Sequence, residues 1–130
     1  MKKILCALIV VMSVVNYASA CSCAPIIAIT EAEIQKVDLV FEGIIENVEE
    51  DVAAMRKVAY VVVTKAYHGV EVGQGIEIST AVSGAACGLS FGEGQEWFFF
   101  VKGRNGKYSD NMCSRSQVLD RPNFDKRIRF

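Results

Sequence analysis

Apolar and polar positions along the 130-residue chain fall into three patterns. Ile4 to Val15 is a nearly unbroken apolar run behind Lys2 and Lys3. Around Thr30 the spacing is helical: Thr30 and Glu33 stand as in a capping box, and Ile34 and Val37 follow, predicting a short helix from about Glu31 to Val37. Most of the remaining apolar residues alternate with polar ones, the period of strands that turn one face to a core.

Five such segments are predicted. Leu39 to Val48 carries Gly43 in its interior, which suggests a bulge or curl. Arg56 to Tyr67 has Val58, Tyr60, Val62 and Thr64 on one face and Val61 and Val63 on the other, predicting a strand covered on both sides. Ile76 to Thr80 alternates cleanly, and Glu96 to Val101 sets Trp97, Phe99 and Val101 opposite Phe98 and Phe100. Gly103-Arg104-Asn105-Gly106 has hairpin-turn chemistry and leads to a poorer strand from about Lys107 to Cys113. Between them, Glu49-Glu50-Asp51 reads as a solvated turn and Ser83 to Gly88 as a small, flexible loop. After Ser116 only a weak helical turn before Pro122 is expected. The set predicts an all-β fold, a small five-stranded Greek-key barrel with one or two short helices, with a β-sandwich as the alternative.

The first apolar run is too short to span a bilayer and ends in a small-x-small site at Ala18 and Ala20, so residues 1–20 are expected to be a signal peptide. A cut between Ala20 and Cys21 leaves one domain, 21–130, secreted or periplasmic and without a membrane span. Losing Lys2 and Lys3 from the 14 basic residues leaves 12 against 15 acidic ones, which argues against a nucleic-acid partner. The basic tail residues Arg121, Lys126, Arg127 and Arg129 read as solvated. A monomer is expected.

Cys6 leaves with the signal, and Cys21, Cys23, Cys87 and Cys113 remain. An even number in a small exported domain reads as two disulfides. Residues i and i+2 of an extended segment cannot easily bond each other, so Cys21 and Cys23 each reach to Cys87 or Cys113. A four-cysteine metal site needs tighter spacing and a reducing setting. No enzyme is expected: His68, the only histidine, sits beside a turn glycine, and disulfide-bonded cysteines are not nucleophiles. The new N-terminus offers different chemistry, since the amine and carbonyl of one residue can chelate a divalent metal. If instead Cys21 is acylated, the protein is a lipid-anchored lipoprotein, although Ala18 stands where such signals carry a bulkier aliphatic residue.

Cys21-Ser22-Cys23-Ala24-Pro25 at a mature N-terminus resembles the start of the tissue inhibitors of metalloproteinases, within the netrin-like module group. The likeness continues in order through Asp38 to Gly43, Val63 to Gly69, Cys87-Gly88-Leu89-Ser90 and Cys113, nearly the whole mature chain, behind a signal of bacterial type. The resemblance implies an OB-fold barrel with bridges Cys21–Cys87 and Cys23–Cys113. It also implies that the Cys21 amine and carbonyl chelate the catalytic zinc of a target metalloendopeptidase, with Ser22 entering the adjoining pocket. Cys23, Ala24 and Pro25, with Ser83, Gly84, Ala85, Ala86, Cys87 and Gly88 alongside, would complete the protease-binding wedge. The chain would need no cofactor of its own, only the zinc of its target. A netrin-like module that binds another extracytoplasmic protein without inhibiting a protease is the alternative.

Overall fold

Five of the alternating segments close on one another. The structure is a computed structural model that describes residues 21–23, 28–124 and 128–129. The expected signal, Ala24, Pro25, Lys126 and Arg127 lie outside the described residues. In chain order the elements are β1 (Ile29–Thr30), α1 (Glu31–Ile34), β2 (Leu39–Asp51), β3 (Arg56–His68), β4 (Gly75–Ala81), β5 (Glu96–Arg104), β6 (Lys107–Ser109), β7 (Gln117–Val118), α2 (Arg121–Phe124) and β8 (Ile128–Arg129). The sheet runs β2-β3-β4-β6-β5, and β5 pairs again with β2, so the barrel is closed. All its pairings are antiparallel except β4 with β6. This is the connectivity of an OB-fold, with β7 added to β5 and a separate parallel pair of β1 and β8.

Closure requires the long first strand to bend. Register shifts fall at Val40/Phe41, Glu42/Gly43 and Ile45/Asn47, around the expected curl. A side chain at Gly43 would come within 2.5 Å of Val61 Cγ1 and 2.8 Å of the Val62 carbonyl oxygen, so only glycine allows this approach of β2 to β3.

Inside the barrel lie Leu39, Phe41 and Ile45 of β2, Ala59, Val61 and Val63 of β3, Ile76 and Ile78 of β4, and Trp97, Phe99 and Val101 of β5. Leu89 and Phe91 plug one end, with Phe91 edge-on to Trp97 at 5.2 Å and Phe41 stacked on Phe99 at 5.0 Å. The opposite faces of β2 and β5 carry a second core. Val40 and Phe98 are covered there by Ile29, Ile34 and Val37 from the N-terminal side and by Phe124 from α2. Burying each large ring contributes about 2–3 kcal/mol.

Several expectations need correction. The helix is a single turn, Glu31–Ile34, although Val37 is still buried beyond it. Glu49-Glu50-Asp51 is strand rather than turn, because the register sets Glu50 opposite Lys57 and Asp51 opposite Arg56, pairs of opposite charge. Only Ala59, Val61 and Val63 of β3 are fully buried, whereas Val58, Tyr60 and Val62 are half-exposed. β5 runs on to Arg104. β6 stops at Ser109, because the next residue, Asp110, turns inward and its carboxylate accepts from the Asn111 amide and the Ser116 hydroxyl. His68 ends β3 and is half-buried.

Of the basic tail expected to be solvated, Arg121 differs. Arg121 Nη1 lies 2.7 Å from Oε1 of Glu42, which is only 1% exposed on the outer face of β2. The contact is an ion pair without hydrogen-bond alignment, while Tyr67 donates its hydroxyl proton to Oε2 of the same carboxylate. Charge pairing and the Phe98–Phe124 contact at 4.8 Å together dock α2 on the barrel.

Candidate functional site

Because β4 and β6 run parallel, their C-terminal ends emerge at the same end of the barrel, and the loops that follow carry Cys87 and Cys113. The two loops are tied to each other, the Met112 amide donating to the Cys87 carbonyl at 2.9 Å. Both N-terminal cysteines end here. Cys21 is bonded to Cys87, with Cα atoms 5.6 Å apart, and Cys23 to Cys113, at 5.0 Å. Those are the bridges that the resemblance implies, and they close spans of 66 and 90 residues.

The loop expected to be flexible has a defined build. Ser83 caps a 3-10 turn over Gly84–Ala86, its hydroxyl accepting from the Ala86 amide at 3.3 Å. The turn closes with the Cys87 amide on the Gly84 carbonyl at 3.1 Å and the Gly88 amide on the Ser83 carbonyl at 3.0 Å. Cys87 itself is left-handed, at φ 65°, which turns its sulfur toward the N-terminal segment. Gly88 is pressed against the Ala81 and Ser83 carbonyl oxygens with no room for a Cβ. One residue further, the Leu89 amide donates to the fully buried Thr80 hydroxyl at 3.0 Å, and the chain re-enters the core.

The second loop is built on Asp110. Its amide donates to the Ser79 carbonyl at 2.9 Å and its carboxylate gathers Asn111 and Ser116. Burial raises the pKa of this carboxyl, and hydrogen bonds from Ser114, Ser116 and the Asn111 amide pull it partly back. The Cys113 amide donates to Asn111 Oδ1 at 2.8 Å, so the sulfur that holds Cys23 is carried by a hydrogen-bonded turn.

Of the expected site residues, Cys21 is thus brought against the Ser83–Gly88 loop and Cys23 against the neighbouring Cys113 loop, with Ser22 between them; Ala24 and Pro25 lie outside the described residues. Ser22, Cys23, Gly84 and Ala86 are exposed, Cys21, Ser83 and Cys87 half-buried, and Gly88 buried. Sequence reasoning missed one neighbour. The β2–β3 hairpin tip reaches this same end, where the Val82 amide donates to the Met55 carbonyl at 3.1 Å. Val52 and Met55 at that tip are 75% and 64% exposed, two apolar side chains in an acidic connection whose charges drew attention away from them.

The four described cysteines are all spent in bridges, so none of them offers a thiolate, and no group of three His, Cys, Asp or Glu side chains among the described residues could hold a metal ion. What the ridge presents is backbone and small side chains in a crosslinked frame. The bridges suit an oxidising, extracytoplasmic compartment, and no helix among the described residues is long and apolar enough to cross a membrane. In comparisons with known proteins, no family model matches this chain and no curated protein matches its sequence.

Proposed function

We propose that the mature chain is a secreted or periplasmic metalloprotease inhibitor that acts through Cys21. The supporting observation is the exposed Ser22 between two cysteines, each clamped by a long-range bridge to one end of the barrel. Signal cleavage after Ala20 turns the Cys21 peptide nitrogen into a free amine. That amine and the Cys21 carbonyl oxygen then form a five-membered chelate on the open coordination position of the target's catalytic zinc and displace its water. Ser22 enters the neighbouring pocket, and Ala24, Pro25 and Ser83–Gly88 flank it. A crosslinked ridge loses little conformational freedom on docking, which favours tight binding by so few residues.

The test is inhibition of a panel of zinc endopeptidases by mature protein starting at Cys21. Acetylating the Cys21 amine, or adding one alanine before it, is expected to abolish inhibition while the unfolding midpoint stays unchanged. Inhibition that survives either change rules out chelation.

The bridges by themselves speak only for a second reading, a protein-binding module in which they staple the N-terminal segment. On that reading an added alanine leaves partner capture intact. Acylation of Cys21 would need the sulfur that Cys87 occupies.

A further inference from the structure

Away from the ridge, the outer wall of β5 carries two open depressions that merge. The larger, about 520 Å³, lies over Phe100 and Lys102 and against the loop from Ser109 to Arg115. A second, about 200 Å³, shares Phe100, Lys102 and Arg115 and continues over Lys36 and Val37 beside α1. The combined groove runs from the first helix to the Cys23–Cys113 bridge.

Its chemistry follows from the elements around it. Phe100 and Lys102 are two apart on β5 and share its outward face. The half-buried Phe100 ring forms an apolar floor, with the Arg115 guanidinium 5.8 Å from its centre. Arg115 is held there by a two-pronged contact with Glu33, at 2.7 and 2.5 Å, and those charges cancel. Asp110 also lines the larger depression but is nearly buried, its carboxylate engaged by Ser116 and the Asn111 amide. Lys36 and Lys102 differ, being exposed with no ion pair or side-chain hydrogen bond among the described residues. The groove is therefore cationic at its rim on a chain of net charge −1, and apolar between the two lysines.

An enclosed cavity would suit a compact molecule. A shallow, elongated channel with an apolar floor between two free ammonium groups suits an extended chain with carboxylates on either side of an apolar side chain. We propose that this groove binds an acidic, extended segment of a partner protein, its apolar side chain on Phe100 and its carboxylates on Lys36 and Lys102. The site is independent of zinc chelation, and its test needs no protease.

The probe is the fluorescein-labelled peptide acetyl-Glu-Phe-Glu-Glu-amide, titrated with the disulfide-intact protein at low salt and followed by anisotropy, with amide shifts mapped by NMR. Saturable binding is expected, with the largest shifts at Phe100, Lys102 and Arg115. The double variant Lys36→Glu/Lys102→Glu is expected to bind about tenfold more weakly, from two exposed charge pairs turned repulsive. Lys36→Gln/Lys102→Gln, which adds no repulsion, is expected to lose about threefold. Both variants should keep the parent's unfolding midpoint, because neither lysine holds another residue. The proposal fails if the peptide does not saturate, if both variants bind like the parent, or if the shifts map to Cys21–Cys23. It also fails if free benzoate binds as tightly as the peptide, which would make the site one for small carboxylates.

Discussion

The Cys21–Cys23 segment and α2 lie against the same barrel, but the first is largely exposed and held by covalent bonds, whereas the second is held by what it buries. Ser22 and Cys23 are both exposed, so packing does less to fix them than the bridges do. Two bridges over spans of 66 and 90 residues are worth about 4–5 kcal/mol each when taken alone, and do so without hiding the residues they hold. α2 has no crosslink and depends on Phe124, 2% exposed, and on Arg121 facing Glu42. An exposed segment can stay rigid only if something other than burial fixes it.

The contrast breaks most severely when both bridges are removed. Replacing all four of Cys21, Cys23, Cys87 and Cys113 by alanine is expected to cost roughly 5–8 kcal/mol, since the two loops are nested and their contributions do not fully add. That is comparable with the roughly 5–15 kcal/mol stability of a small domain. The variant should be largely unfolded at 37 °C by near-UV circular dichroism. A cooperatively folded variant that has lost under about 2 kcal/mol would mean that packing already holds the N-terminal segment.

The other end responds to apolar truncation. Phe124→Ala removes the ring on Phe98 and should cost about 3 kcal/mol in urea unfolding while both disulfides at the other end stay intact. Arg121→Met keeps much of the apolar stem but leaves Glu42 with Tyr67 and the more distant Lys65, 4.0 Å away. Because Arg121 is half-exposed, the loss is discounted to about 2 kcal/mol. Glu42→Gln in the same chain should recover part of it. Failure to recover would mean that Arg121 acts through packing rather than charge.

This division also explains what could be read in advance. The barrel strands announced themselves because their inner positions alternate, and the Trp97-Phe99-Val101 face of β5 was legible for that reason. The long-range tethering of Cys21 and Cys23 was legible because paired cysteines in a small domain are chemically distinctive. The outer core was not. Its members come from Ile29, Val40, Phe98 and Phe124, far apart in sequence, and no local period joins them. The one trace was Phe98 and Phe100 standing opposite the inner face with nothing in the sequence to cover them. Glu42, charged inside an apolar strand, belonged to that same unseen surface, and its partner Arg121 looked like one more solvated tail residue. Asp110 escaped notice because the last strand was expected to run on to Cys113, which made it one polar position among others, and its burial is visible only once the chain has left the strand at Ser109 and folded over it.

The smallest expected effects come from two carboxyls whose pKa values move in opposite directions. Arg115, first, and the Thr30 amide hold Glu33 below its ordinary value of 4.5. Its contribution is therefore complete above that value and is lost as pH falls through the lowered one. Burial raises Asp110 above its ordinary 3.8, so the folded protein binds its proton more tightly than the unfolded chain does. Stability from this group is highest below 3.8 and declines as pH rises through the raised value. Urea unfolding between pH 3 and 7 separates them. Glu33→Gln should cost under about 1 kcal/mol at pH 7, shrink toward nothing at pH 3, and flatten the acid limb of the curve. Asp110→Asn should remove the opposite slope, so that stability relative to the parent improves as pH rises, even if lost hydrogen bonds lower it throughout. Slopes that change in the same direction in both variants would show that one of the two carboxyls does not titrate as its surroundings dictate, and the loop that carries Cys113 would then rest on something other than a buried, protonatable Asp110.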